Sequence, residues 1–138
     1  RNRIVHKYKP KIIVVYEGDN DIASGLTANE VIEDYDDFIN YVERTLPDTK
    51  VCFIAIKPSV RRESLWPTML QVNQEIHDRA ETQANLCFFD IGPPMLSETG
   101  GPRPELFVSD GLHLNSEGYK IWTAAIRSRL LAMWAEVH

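Results

Sequence analysis

The chain has 138 residues, of which 43% are hydrophobic and 25% charged, and it carries a formal net charge of −5. That size suits one compact domain, taken as residues 1–138, and the balance of apolar and charged residues rules out a disordered or collagen-like chain. The acidic surplus argues against a nucleic-acid or anionic-membrane surface, and no apolar run reaches the roughly 18 residues of a membrane span. The chain opens on Arg1 rather than Met, so compartment is not read from its first residues and the localisation is unknown.

In chain order, Ile4–Tyr8 reads as the end of a helix, and Lys9-Pro10-Lys11 as a turn into the first strand, Ile12–Tyr16. This run is β-branched and continuous rather than alternating, as in strands buried on both faces of a parallel sheet. Val31, Ile32, Tyr35, Phe38, Ile39, Val42 and Leu46 then recur at helical spacing. Thr27 and Glu30 have the spacing of a capping box at the start, and Pro47-Asp48 ends the helix. A second strand spans Val51–Ile56, and a second helix runs from about Trp66-Pro67 to Ala84 with Met69, Asn73, Ile76 and Ala80 inward. A third strand covers Leu86–Ile91. Cys52 and Cys87 each sit within an apolar strand, so both are expected to be buried free thiols. The stretch from Gly92 to Asn115 holds four of the eight prolines and is too long for an idle connection. A last helix follows Asn115-Ser116, with Tyr119, Trp122, Ile126, Leu130 and Met133 inward.

The order β-α-β-α-β-loop-α predicts an α/β fold, a parallel sheet covered by helices. Functional sites in such sheets lie beyond the C-terminal ends of the strands. Two polar clusters fall there: Gly18-Asp19-Asn20-Asp21 after the first strand, and Asp110-Gly111-Leu112-His113 before the last helix. Either cluster alone is a weak signal, since the first is also a good turn sequence and a loop histidine needs no special cause. Together, in this order and at this end of the sheet, they are specific.

These residues resemble the conserved blocks of SGNH hydrolases, the GDSL-type esterases and lipases. Gly18, Asn20 and Asp21 match the Gly-x-Asn-Asp block; Asp110 and His113 match the Asp-x-x-His block, followed by Asn115, Gly118 and Tyr119. The resemblance implies a three-layer α/β/α, flavodoxin-like SGNH fold, here the C-terminal part with about three strands. It implies that Asn20 is an oxyanion-hole donor, that His113 is the general base and that Asp110 orients its imidazole. Gly18 would be required where a Cβ would crowd the turn, Asp21 would cap the following turn, and Asp19 would be exposed. In the loop Lys57–Pro67, Trp66 and either Arg61 or Arg62 are candidate substrate contacts. The implied function is hydrolysis of small acyl esters, short-chain esters or acetylated sugars, through an acyl-serine intermediate, with no cofactor or metal.

The family's Gly-Asp-Ser block and its second, glycine-bearing block are not found in this sequence. Seven serines are present, none in a Gly-Asp-Ser setting after a strand. The first strand here corresponds to the third of the resembled fold, whose strand order is 2-1-3-4-5. Its edge is therefore expected to be open to a companion N-terminal segment carrying the nucleophile, or to a second copy in a homodimer. Two other readings stand beside the hydrolase: a magnesium site at Asp19 and Asp21 in a phosphatase-like domain, and a non-catalytic truncated domain acting as a binding or assembly module.

Overall fold

The computed structural model describes residues 10–91 and 93–137; the expected helix end at Ile4–Tyr8 lies outside them. Three parallel strands form the sheet in the order β1 (Ile12–Val15), β2 (Lys50–Ile54), β3 (Leu86–Phe89). Between them run α1 (Asp19–Ala23), α2 (Ala28–Thr45) and α3 (Trp66–Thr82), and α4 (Ser116–Val137) closes the chain. Each expected strand ends one to two residues early, because the chain must leave the ladder to build the loops at the sheet's C-terminal rim.

The register is Val14 beside Cys52 beside Cys87, and Val15 beside Phe53 beside Phe88. Because side chains alternate along a strand, these rows face opposite sides of the sheet. Phe53 meets Tyr35 of α2 edge-to-face at 5.1 Å between centroids, and Phe88 meets His77 of α3 at 5.7 Å. On the other side, the Met133 sulfur of α4 packs against the cysteine row, and Trp122 stands edge-on to Tyr16 at 6.1 Å. Helices α2 and α3 thus cover one face and α4 the other, which makes the three-layer α/β/α architecture expected from the sequence.

The capping box is present: Thr27 Oγ1 accepts from the Glu30 amide, and the Glu30 carboxylate accepts from the Thr27 amide. Arg79 of α3 forks onto Asp36 of α2, at 2.6 Å from Nε and 2.9 Å from Nη2, and ties the two helices together. Asn73 pairs with the backbone of Ile56, accepting from its N–H at 2.8 Å and donating to its carbonyl at 3.0 Å. A helix side chain thereby continues the ladder just past the end of β2.

Two expectations are corrected. Cys52 and Cys87 are disulfide-bonded rather than free, with Cα atoms 4.5 Å apart; exact register on neighbouring strands puts both sulfurs on one face, and periodicity along a single strand does not reveal that. Tyr119 points outward, 53% exposed. The inward position in the first turn of α4 is Gly118, where a Cβ would lie 2.3 Å from the Leu106 carbonyl oxygen, and Tyr119 stands one helical step round.

An alanine at an ordinary helix glycine stabilises by roughly 0.5–1 kcal/mol. At Gly118 the sign reverses: Gly118→Ala is expected to destabilise by about 1–3 kcal/mol through overpacking against backbone, measured by denaturant unfolding. A gain in stability would show that the Leu106 turn yields.

Candidate active site

The chain leaves β1 through Tyr16 and Glu17 into Gly18, whose φ of 105° lies in the left-handed region. A Cβ there would also meet Ile56 Cδ1 at 2.9 Å, so both backbone and space call for glycine. Tyr35 reaches across from α2 and donates its hydroxyl to the Glu17 carbonyl, which holds the turn against the helix layer. The Gly18 carbonyl then accepts from the Ile22 amide at 2.9 Å, and the single turn α1 begins. Asn20 stands exposed at the sheet rim.

Asp19, expected to be exposed, is buried at 8% exposure. Its burial is possible because two cations from the loop after β2 meet its carboxylate: Arg62 Nη1 at 2.6 Å and Lys57 Nζ at 3.5 Å. Arg62 Nη1 also donates to Asn20 Oδ1 at 3.0 Å. Asp21 closes the next turn with its backbone carbonyl rather than its side chain, accepting from Ser24 Oγ at 2.8 Å and the Leu26 amide at 3.0 Å.

The second cluster is a self-closed loop. Asp110 Oδ1 accepts from the amides of Leu112 and His113 at 2.8 and 2.9 Å, while Oδ2 meets His113 Nδ1 at 2.5 Å. The hydrogen bond from the His113 ring, followed by the two backbone amides, holds the Asp110 carboxyl well below the usual carboxylate range. The His113 side chain is 71% exposed. The loop is docked where the Arg61 amide donates to the Gly111 carbonyl at 2.9 Å. Asn115 then starts α4, its Oδ1 accepting from the Gly118 amide at 2.9 Å.

Both clusters open onto one cleft of about 550 Å³, lined by Tyr16 to Asp21, Lys57, Arg62, Leu112 and His113. Asn20 and His113 share this cleft. Burial, and next the charge of Asp19, push the Tyr16 phenol up, so it stays neutral in the wall. Of the loop candidates, Arg62 lines the cleft and Arg61 does not; Trp66 lies in a separate groove beside Leu70, His77 and Phe88. No serine is among the residues lining the cleft. The side chains that sequence reasoning missed, Lys57 and Tyr16, carry a positional signal: like Asn20, each closely follows a strand and reaches the same rim.

The Asp19 carboxylate faces an ammonium and a guanidinium, an environment that repels a divalent cation. Among the described residues no cluster of three or more His, Cys, Asp or Glu side chains is placed to hold a metal. No helix among them is long and apolar enough to cross a membrane.

A parallel-sheet α/β/α domain with its polar cleft at the strand ends is the frame of an SGNH-like hydrolase. The GDSL-like lipase/acylhydrolase family model matches residues 1–121, and the chain belongs to that family. A comparison with curated proteins finds no match. Among solved structures, the chain is similar to a carbohydrate esterase family 3 protein from Talaromyces cellulolyticus, with a TM-score of 0.80 and 24% identity over 97% of this chain and 63% of that one. It is similar to a protein from Streptococcus pneumonia described as a putative platelet activating factor, with a TM-score of 0.76 and 22% identity over 87% of this chain and 59% of that one. A third is the esterase domain of the ORF1 protein of the zebrafish ZfL2-1 retrotransposon, with a TM-score of 0.65 and 27% identity over 84% of this chain and 65% of that one. The chain therefore spans less than two thirds of the length of each of these three structures.

A depressed carboxyl pKa means that the Asp110–His113 contact stabilises the fold above the unfolded Asp value, about 3.9, and is lost as pH falls towards the folded one. A carbon-13 titration of Asp110 is expected to show a midpoint clearly below about 3.9, returning upward in His113→Ala. An unchanged midpoint in that variant would assign the shift to the backbone amides alone.

Proposed function

We propose that this chain forms the base and oxyanion side of a serine ester hydrolase acting on small acyl esters. The nucleophilic serine comes from a segment outside these 138 residues. One observation carries the reading: His113, with Nδ1 on Asp110, opens onto the same cleft as Asn20.

With Nδ1 engaged by Asp110, the imidazole keeps Nε2 for the reaction. In the proposed cycle, Nε2 takes the proton of the serine hydroxyl as its oxygen attacks the ester carbonyl carbon. The carbonyl oxygen becomes an oxyanion, and Asn20 Nδ2 donates to it. Collapse of the tetrahedral intermediate breaks the bond to the alcohol, which leaves with the proton from Nε2. Water then repeats the sequence on the acyl-serine and releases the acid. Asp110 keeps its charge throughout, stabilising the imidazolium and holding the tautomer. Gly18 supplies the turn that aims Asn20, and Asp21 the turn behind it. The open, charged lining suits a short acyl group on a polar alcohol, including acetylated sugars, better than a long lipid chain.

The free edge of β1 fits this reading. Among the described residues β1 pairs only with β2, and Val14 of β1 is 42% exposed. The companion segment, or a second copy, adds its strand there. Light scattering on residues 1–138 alone is expected to show self-association; a well-folded monomer needing no companion would count against both versions.

The catalytic reading is tested with p-nitrophenyl acetate on the full-length protein. His113→Ala is expected to lower the rate by about 10²–10⁴-fold, and Asn20→Ala by about 10²–10³-fold. The isolated 138 residues are expected to give no acyl-enzyme burst. Turnover that survives both substitutions would overturn the assignment.

A further inference from the structure

The loop after β2 touches both halves of the cleft, and neither the family match nor the block resemblance assigns it a role. The Arg61 amide holds the Gly111 carbonyl of the His113 loop at 2.9 Å, while Arg62 reaches the other half with its guanidinium. Ser59, buried at 2% exposure, accepts the Arg62 amide at 3.3 Å and fixes the backbone from which that side chain extends. The Arg62 side chain is 17% exposed, so it is a wall of the cleft and not a solvent-facing arginine.

A guanidinium has five donors and no acceptor. The Asn20 atom facing Arg62 Nη1 at 3.0 Å must therefore be the carbonyl oxygen, which leaves the Nδ2 amide as the group turned away from Arg62. With Arg62 absent, the Asn20 amide has two orientations of similar cost, and only one presents N–H to an oxyanion. The same Nη1 sits on Asp19 Oδ1 at 2.6 Å, and Asp19 adjoins Asn20 on α1, so the guanidinium is itself held in place by the turn it organises. Bonding to a cation also draws electron density from the amide and makes its N–H a stronger donor.

We propose that Arg62 is a positioning residue that locks Asn20 in the donor orientation and polarises it. The inference rests on the ester-hydrolase reading. It assigns Arg62 no contact with substrate; its effect passes through Asn20.

The test is a double-mutant cycle on the full-length protein with p-nitrophenyl acetate. Arg62→Met is expected to lower kcat by about 10–100-fold, below the roughly 10²–10³-fold of losing the donor itself, with KM changed less than about threefold. In an Asn20→Ala background, the loss from Arg62→Met should shrink to less than about threefold, because residues acting as one unit are not additive. Arg62→Lys keeps a cation for Asp19 and should show a smaller kcat loss at an unfolding midpoint close to wild type; it carries the test if Arg62→Met does not fold. Equal losses in both backgrounds would overturn the proposal, as would an effect confined to KM. Full activity in Asn20→Ala would instead remove the hydrolase reading beneath it, a result distinct from either.

Discussion

The buried carboxylate of Asp19 is the constraint on which the cleft depends. A carboxylate taken out of water costs several kcal/mol unless cations and hydrogen bonds replace the lost solvation. Arg62 at 2.6 Å and Lys57 at 3.5 Å supply that replacement, and both come from the loop after β2, a different part of the chain. The turn that carries Asn20 is thus clamped to that loop by electrostatics acting where solvent screens poorly. The loop in turn grips the Gly111 carbonyl through the Arg61 amide. Three segments widely separated in sequence are held around one space by a short chain of polar contacts that starts at a residue with no direct part in the proposed chemistry.

The sheet makes those contacts possible. Parallel strands in register end at a common rim, so the peptides after β1 and β2 emerge side by side and polar residues there meet without long reaches. Below the rim the structure is apolar and closely packed, with Phe53, Ile56, Met69, Phe89 and Ile91 almost without exposure. Asn73 sits at the boundary between these regimes, using one helix side chain to satisfy both polar groups of Ile56 where the strand ladder stops. Gly18 completes the boundary, since a side chain there would collide with Ile56 and push the turn off the layer beneath it.

Much of this was legible in the chain. Continuous β-branched or aromatic runs marked the three strands; in β2 and β3, buried along most of their length, there is no polar side to alternate with. The box at Thr27 and Glu30 marked a helix start, because it satisfies local backbone donors and needs no tertiary partner. Asn20, Asp110 and His113 stood out together by their order in the chain and their resemblance to the family's blocks, and Asn20 and His113 meet at one cleft. What stayed hidden depends on neighbours across strands. Asp19 looks exposed until Arg62 and Lys57 are placed beside it; Cys52 and Cys87 look independent until the register aligns them; Tyr119 looks inward until Gly118 takes the tight position against Leu106. Helical or strand periodicity assigns a face, whereas pairing between faces is a property of the folded whole. The choice between Arg61 and Arg62 has the same origin: adjacent residues point opposite ways, and only the loop's path decides which one turns to the cleft.

The hydrogen bonds to the Asp110 carboxylate all come from within four residues, so the pairing of carboxylate and ring needs little from the remainder of the molecule. Orientation of the imidazole and placement of the imidazole are therefore separable tasks, the first local and the second dependent on docking at Gly111. The segment's ends are fixed in the core, where Phe107 and Leu114 are buried and bridge each other, so carboxylate and ring share one footing and keep their mutual geometry together.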